Sequence, residues 1–359
     1  MSNINRVSFN RSQEFFETLR SKDNYLKEGK KLREASTQLY IKGIILISLL
    51  ISIYTILVFF YPGPLIGLLL CALLGLVMAG IGFNIMHDGA HGSYSKKAWL
   101  NELTGYSLNL MGGNVFLWKA KHNINHHTYT NIDGMDDDID IRPFVRVTES
   151  QPLSWYHKFQ HIYWAILYSF TYLLWIYVQD FRKYFSGKVG NAKFKEMDTK
   201  QHVIFWSSKA IYLCIFIIIP AFKLGFLTML IGYLFMSMVC GFVIAVVFQL
   251  AHVVGEAHFP EVADEQSSLK IEDEWAIHQI KTTANFATKS RFIRWFTGGL
   301  NHQVEHHLFP KVPHTHYPKI NEFVKETCKQ FNVPYQEFRT LGDALRSHID
   351  YLKRVGHPA

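Results

Sequence analysis

Three short histidine clusters carry the chemistry of this chain: His87-Asp-Gly-Ala-His91, His122-Asn-Ile-Asn-His126-His127 and Gln303-Val-Glu-His306-His307. On a helix, positions i and i+4 share a face, so His87 with His91 and His122 with His126 can each grip one metal ion. The neighbouring His127 points about 100° away and reaches a second ion. A single HxxxH or HH is expected about once by chance at this histidine content, whereas HxxxHH is far rarer, and the three clusters together read as one joint metal site. All-imidazole ligation suits iron, copper, zinc or nickel, and without thiolates it leaves such ions open to oxygen chemistry. HExxH, ExxH, GxSxG, GxxxxGK and GxGxxG are all absent, which removes the metalloprotease, carboxylate-bridged di-iron, serine-hydrolase and phosphate-loop readings. The four cysteines, at 71, 214, 240 and 328, form no CxxC pair and are expected to be free.

The elements that must position these histidines lie in a bilayer. The 359 residues are 49% hydrophobic and only 18% charged, against roughly 25% charged in soluble domains. A formal charge of +8 without a long basic block argues against nucleic acid and for membrane topology. Residues 43–86 hold no charged side chain and are broken only at Pro62-Gly63-Pro64. At about 20 residues per crossing, they predict two spans, 43–61 and 65–86. Residues 203–222 and 224–251 predict a second hairpin, turning at Lys223-Leu224-Gly225, with Lys209 expected to snorkel toward headgroups.

A fifth apolar run, 162–178, is six parts Tyr or Trp and reads as an interfacial helix. Four spans then place residues 1–42, 87–202 and 252–359 on one face. The flanking basic residues (Lys30, Lys31, Arg33, Lys42, Lys96, Lys97, Lys195 and Lys200) make that face cytoplasmic. The expected fold is therefore all-α and integral to the membrane: an N-terminal segment 1–42, hairpins 43–86 and 203–251, and a helical cytoplasmic cap formed by 87–202 and 252–359. Both termini are expected on the cytoplasmic side.

The order HxxxH, HxxxHH, QxxHH around two membrane hairpins resembles the membrane fatty-acid desaturases, and the Gln303-Val-Glu-His306-His307-Leu-Phe-Pro context is similar to their front-end, linoleoyl-CoA-desaturase-like branch. The resemblance spans roughly residues 35 to 340. It implies two iron ions cycling between Fe2+ and Fe3+, dioxygen as co-substrate, an acyl-CoA or acyl-lipid substrate, and electrons from outside. By resemblance, His87, His91, His122, His126, His127, His306 and His307 are ligands, and His252 at the end of the fourth span sits where the family supplies an extra one. Gln303 occupies a slot that is His in other branches, so it is a weak ligand or a positioning residue. His258 and His302 are recruited by no spacing argument.

Asp88 and Glu305 are expected to orient ligand imidazoles. The run Asp136-Asp137-Asp138 with Asp140 is read as a capping or partner-docking surface, and Trp118, Trp295 and the interfacial aromatics as tunnel wall. Arg142, Arg146, Arg291 and Arg294 are expected to face an acidic carrier or the phosphates of an acyl-CoA headgroup. The only echo of a fused cytochrome b5 motif is Gly356-His357-Pro358-Ala359. A separate ferredoxin or cytochrome b5 with its reductase is therefore the expected donor, and a bacterial inner membrane the expected location. An acyl-chain hydroxylase or another di-iron oxidase is the runner-up. A metal transporter is remote, because the spans hold no mid-membrane His or carboxylate.

Overall fold

The computed structural model describes residues 6–22, 37–190, 192–194, 196–260 and 268–357. Lys30, Lys31, Arg33, Lys195, Pro358 and Ala359, named above, lie outside the described residues. A short strand β1 (Arg6–Asn10) and helix α1 (Glu14–Ser21) precede two long apolar helices, α2 (Thr37–Phe59) and α3 (Pro64–His91). Gly63 turns this hairpin at φ +93°, a conformation that costs glycine little, and Pro64 starts α3 where its missing N–H is harmless. After α4, which runs from Val115–Lys119 through a π-turn (Ala120–His126) to His127–Tyr129, come α5 (His157–Ser169) and α6 (Thr171–Ser186). The second hairpin is α7 (Thr199–Leu224) and α8 (Phe226–His252), turned by Gly225 at φ +81°.

Four described helices are thus long and apolar enough to cross a membrane. Three begin earlier than expected from the sequence, α2 by six residues, α3 by one and α7 by four, whereas α8 begins two residues later; α3 also continues five residues past the expected end, so that the first histidine cluster is its last turn. The expected interfacial helix is α5 and α6 together, bent by 62°. It does not add a crossing: His91 and His252 end α3 and α8 in one shared cavity, so residues 92–198 leave and re-enter on the same face. A Cβ on Gly241 would stand 2.5 Å from the Ser169 carbonyl oxygen, so α8 and the end of α5 touch backbone to side. Likewise a Cβ on Gly75 would lie 2.5 Å from the Met236 carbonyl oxygen, which fixes the two hairpins against each other.

Two buried lysines correct the topological arithmetic. Lys209 does not snorkel: it is 7% exposed and donates to Asp180 Oδ2 (2.8 Å) and to the Gly112 and Ile176 carbonyls, pinning α6 to α7. Lys42, 6% exposed, donates to Asn84 Oδ1 (2.6 Å), the Trp295 carbonyl (2.8 Å) and His314 Nε2 (3.0 Å). Both satisfy every donor inside the protein, which is why burial is tolerated.

The cap closes over this unit. Strand β1 pairs in parallel with β2 (Ser268–Glu274), and β3 (Asn285–Phe286) with β4 (Glu337–Phe338). Helices α9 (Trp275–Lys281), α10 (Arg291–Phe296), α11 (Gln303–Leu308), α12 (Tyr317–Gln330) and α13 (Leu341–Val355) complete it. Glu274 accepts from the Phe15 and Phe16 amides at the start of α1, and Thr340 with Asp343 forms a capping box on α13.

Candidate metal centre

Two π-turns set the histidines. In α3 the turn Gly82–Met86 immediately precedes His87, and in α4 the turn Ala120–His126 contains His122 and His126. Such turns insert one extra residue and re-aim the side chains that follow, a device common at functional sites. Asn84 holds the first turn by donating to the Gly80 and Phe296 carbonyls at 2.8 Å each. Asn123 ties the second to the first cluster through the Ala90 carbonyl at 3.0 Å.

The nitrogen atoms of His87, His91, His122 and His306 lie within 4.8 Å of one another, and so do those of His126, His252 and His307. The spacing argument gave His122 and His126 to one ion: their rings stack at 5.0 Å and a third group joins them with Asp138, while His122 also belongs to the first group and His126 to the second. His127 stands between the groups, 4.9 Å from the His91 ring, 4.7 Å from His306 and 4.4 Å from His307. His252 is 4.6 Å from His126 and 5.0 Å from His307 by ring centroid. The Gln303 amide lies 3.0 Å from His252 Nε2 and 3.4 Å from His307 Nε2.

Every histidine of both groups is buried. The Nε2 atoms of His87, His91, His122, His126, His127 and His306 are buried without a hydrogen-bond partner among the described residues. For four histidines the Nδ1 atom is held, whereas His127 Nδ1 is also without a partner. His122 Nδ1 donates to Asp138 and His126 Nδ1 to Asp136, each at 2.9 Å. His307 Nδ1 donates to Gln279 Oε1 at 2.7 Å, and His306 Nδ1 to the Tyr317 hydroxyl at 3.1 Å. These acceptors select the tautomer whose Nε2 lone pair faces the cavity, the usual outer arrangement of a metal-binding imidazole.

Electrostatics favour the neutral form for most of these rings. Burial, then mutual repulsion among the imidazoles, holds His127, His306 and His307 well below the ordinary histidine range. Burial pushes His122 down to about 3 despite Asp138. For His126 burial opposes the charge, but the Asp136 carboxylate outweighs it and raises the pKa. A buried cluster of mostly neutral imidazoles with orphaned lone pairs fits divalent transition metals.

Several positioning residues differ from expectation. Asp88 lies 3.9 Å from His87 Nδ1, too far for a hydrogen bond, and instead accepts from His314 Nδ1 at 2.7 Å. Glu305 holds no ligand imidazole; its carboxylate accepts from Asn285 (2.7 Å), Asn321 (3.1 Å) and Tyr335 (3.0 Å), locking α11 in place. The acidic run is no free docking surface, since Asp136 and Asp138 hold His126 and His122 and Asp137 pairs with Lys183 at 3.0 Å. Arg146 is buried and donates to the Gln151, Val355 and Glu149 carbonyls, so it meets no carrier. Gln279, Tyr317 and His314 were not legible from the sequence, because no motif or period marks them. His258 is exposed and His302, though buried, lies outside both groups.

Trp118 forms the near wall, stacked on His122 at 4.4 Å and backed by Met86, Ala90, Leu108 and Val115. Trp295 does not reach the cavity; it is partly exposed on the outside of the bundle. On the outer side of Asp136 a charged cleft of about 300 Å³ is lined by Asp137, Asp140, Arg142, Arg182, Lys183 and Lys188.

A profile of the fatty acid desaturase family matches residues 62–339. The chain is 36% identical over 340 residues to an acyl-lipid (8-3)-desaturase of Physcomitrium patens, covering 93% of this chain and 70% of that protein. It is 36% identical to an sn-1 linoleoyl-lipid 6-desaturase of Arthrospira platensis, covering 99% and 96%. A protein of the same name from Synechocystis is 33% identical, with 99% of each chain covered.

Proposed function

As the chain belongs to the fatty acid desaturase family and is a membrane oxidoreductase that desaturates fatty-acyl chains, we propose that its histidine cavity holds two iron ions and acts on a membrane-lipid acyl chain near its carboxyl end. The observation that carries this reading is the set of buried Nε2 atoms without partners, those of His122, His126 and His306 on rings anchored at Nδ1. His87, His91, His122 and His306 hold one ion, and His126, His252 and His307 the other, with His127 between them. Gln303 completes the second set by turning its amide oxygen inward, a choice of amide orientation that the neighbouring imidazoles permit.

Once loaded and reduced, such a centre activates dioxygen and, with two external electrons and two protons, removes one hydrogen from each of two adjacent methylenes and yields two waters. The chain's own residues do the rest. Asp136, Asp138, Gln279 and Tyr317 keep the Nδ1 protons in place, so no imidazole drifts from its ion. Trp118 and Phe248, the latter 5.1 Å from His126, keep water from the reacting carbons. Because the ligands end the spans, an acyl chain anchored by its headgroup offers the carbons nearest its carboxyl group. The relatives named above, which act on acyl-lipids by name, support that choice of carrier.

A separate ferredoxin or cytochrome b5 supplies the electrons; the mixed-charge cleft beside Asp136, where Arg182 and Lys188 stand with the Arg142–Asp140 and Lys183–Asp137 pairs, is the candidate docking place because Asp136 leads from it to His126. The histidine face, carrying Lys96, Lys97 and Lys200, is then cytoplasmic in a bacterial inner membrane.

The test is the fatty-acid profile, with double-bond localisation, of a bacterial host co-expressing a ferredoxin system with the native chain or His126→Ala. A new unsaturated acid formed only with the native chain supports the reading and gives its position. Hydroxylated or shortened acids overturn it, and so does purified protein that holds no iron.

A further inference from the structure

Helix α10 packs against the first hairpin at its histidine end. The Trp295 carbonyl accepts from Lys42 of α2 at 2.8 Å, and the Phe296 carbonyl from Asn84 of α3 at 2.8 Å. The Phe296 ring packs edge-on against Phe83 at 6.2 Å, and a Cβ placed on Gly80 would meet Leu46 at 3.3 Å and Phe296 at 3.8 Å. Leu46 is nine residues into α2, about 14 Å along its axis. The inner side of α10 is therefore seated against span surface.

Its outer side is apolar and uncovered. Phe292 is 70% exposed and Trp295 40%, three residues apart on one face, and Ile41, Ile44 and Ile45 of α2, beside the Lys42 that reaches Trp295, are exposed as well. Singly exposed apolar residues need no explanation, but a contiguous set beside a membrane span marks a lipid-facing surface. Around this patch stand Lys289, Arg291 and Arg294, with no acidic partner among the described residues. Aromatic residues flanked by basic ones are the composition of an interfacial anchor.

We propose that Lys289 to Phe296 form a lipid-binding wedge: Phe292 and Trp295 enter the hydrocarbon of the leaflet on the histidine side, while Lys289, Arg291 and Arg294 take the phosphate of an anionic phospholipid headgroup. The wedge leads through Gly298 and Gly299 directly into α11. Gly298, at φ +60°, leaves no room for a Cβ, which would stand 2.3 Å from the Phe83 carbonyl oxygen. The third histidine cluster is thereby moored to the bilayer by a surface that touches no ligand, so the wedge stands independently of which metal the cavity holds.

Two measurements test it. In phosphatidylcholine nanodiscs, a nitroxide at Phe292→Cys, with Cys71→Ala and Cys214→Ala, should relax by collision with oxygen as one at Ile44→Cys does, and be shielded from a water-soluble nickel chelate. Nickel collision matching that at the exposed cap position Glu322→Cys overturns insertion. Native mass spectrometry from micelles doped with phosphatidylglycerol should show Lys289→Gln, Arg291→Gln and Arg294→Gln weakening lipid retention about fivefold per cation. Unchanged retention overturns the headgroup assignment.

Discussion

Asp136 shows how much rests on single atoms around the cavity. Replacing it with Asn keeps its shape but removes the anionic acceptor 2.9 Å from His126 Nδ1. Loss of such an outer partner costs about 10- to 100-fold in metal affinity or activity. Asp136→Asn is therefore expected to retain one metal group and lose most of the other, read as iron per chain by elemental analysis alongside product yield. An unchanged iron content would show that Asp136 does not support its histidine. At this scale the ligands were legible because histidines at helical spacing stand out against composition. Their supports were not. Asp136 and Asp138 reach His126 and His122 across a loop, ten and sixteen residues away, where no period exists to betray the pairing. Gln279 and Tyr317 meet their histidines only through the tertiary fold.

Among the elements, the last turn of α3 is held by a side chain that is missing. A Cβ on Gly89 would stand 2.3 Å from Thr104 Oγ1, 2.6 Å from the Gly105 amide nitrogen and 2.9 Å from the Asn101 carbonyl oxygen. Two of these are backbone atoms that cannot swing aside. Gly89→Ala should destabilise the protein by about 1–3 kcal/mol, the range for overpacked sites, seen as a lower thermal midpoint in detergent. It should also lose iron, since His87 and His91 ride on the displaced turn. A midpoint equal to the parent's would contradict the packing described. Hairpin number and turn positions were readable from apolar runs and their Pro-Gly breaks. The π-turns were not, because an inserted residue leaves hydropathy unchanged while it re-aims every side chain beyond it.

The molecule as a whole is closed by α13, which folds back onto α5 and α8. His348 is buried there, its Nδ1 donating to the Val253 carbonyl at 2.6 Å and its Nε2 accepting from the Tyr168 hydroxyl at 3.0 Å. Burial pushes its pKa from 6.5 down to about 4. The folded chain therefore refuses a proton that the unfolded chain accepts between about pH 6.5 and 4. Stability is complete above that window and falls as pH drops through it, by about 2 kcal/mol at pH 5. His348→Gln, which preserves a donor and an acceptor, should show a smaller drop in thermal midpoint between pH 7 and pH 5; an equal drop would assign the acid sensitivity elsewhere. The ligands that α13 helps enclose are scattered from His87 to His307, on both hairpins and the cap. For a chain made from its N-terminus, this spread has a consequence in time. Both hairpins are committed to the bilayer before the last two imidazoles leave the ribosome, so metal cannot guide insertion and can only reward it. An inserted protein that lacks its full set of candidate ligands is therefore an obligatory stage in the synthesis of every molecule.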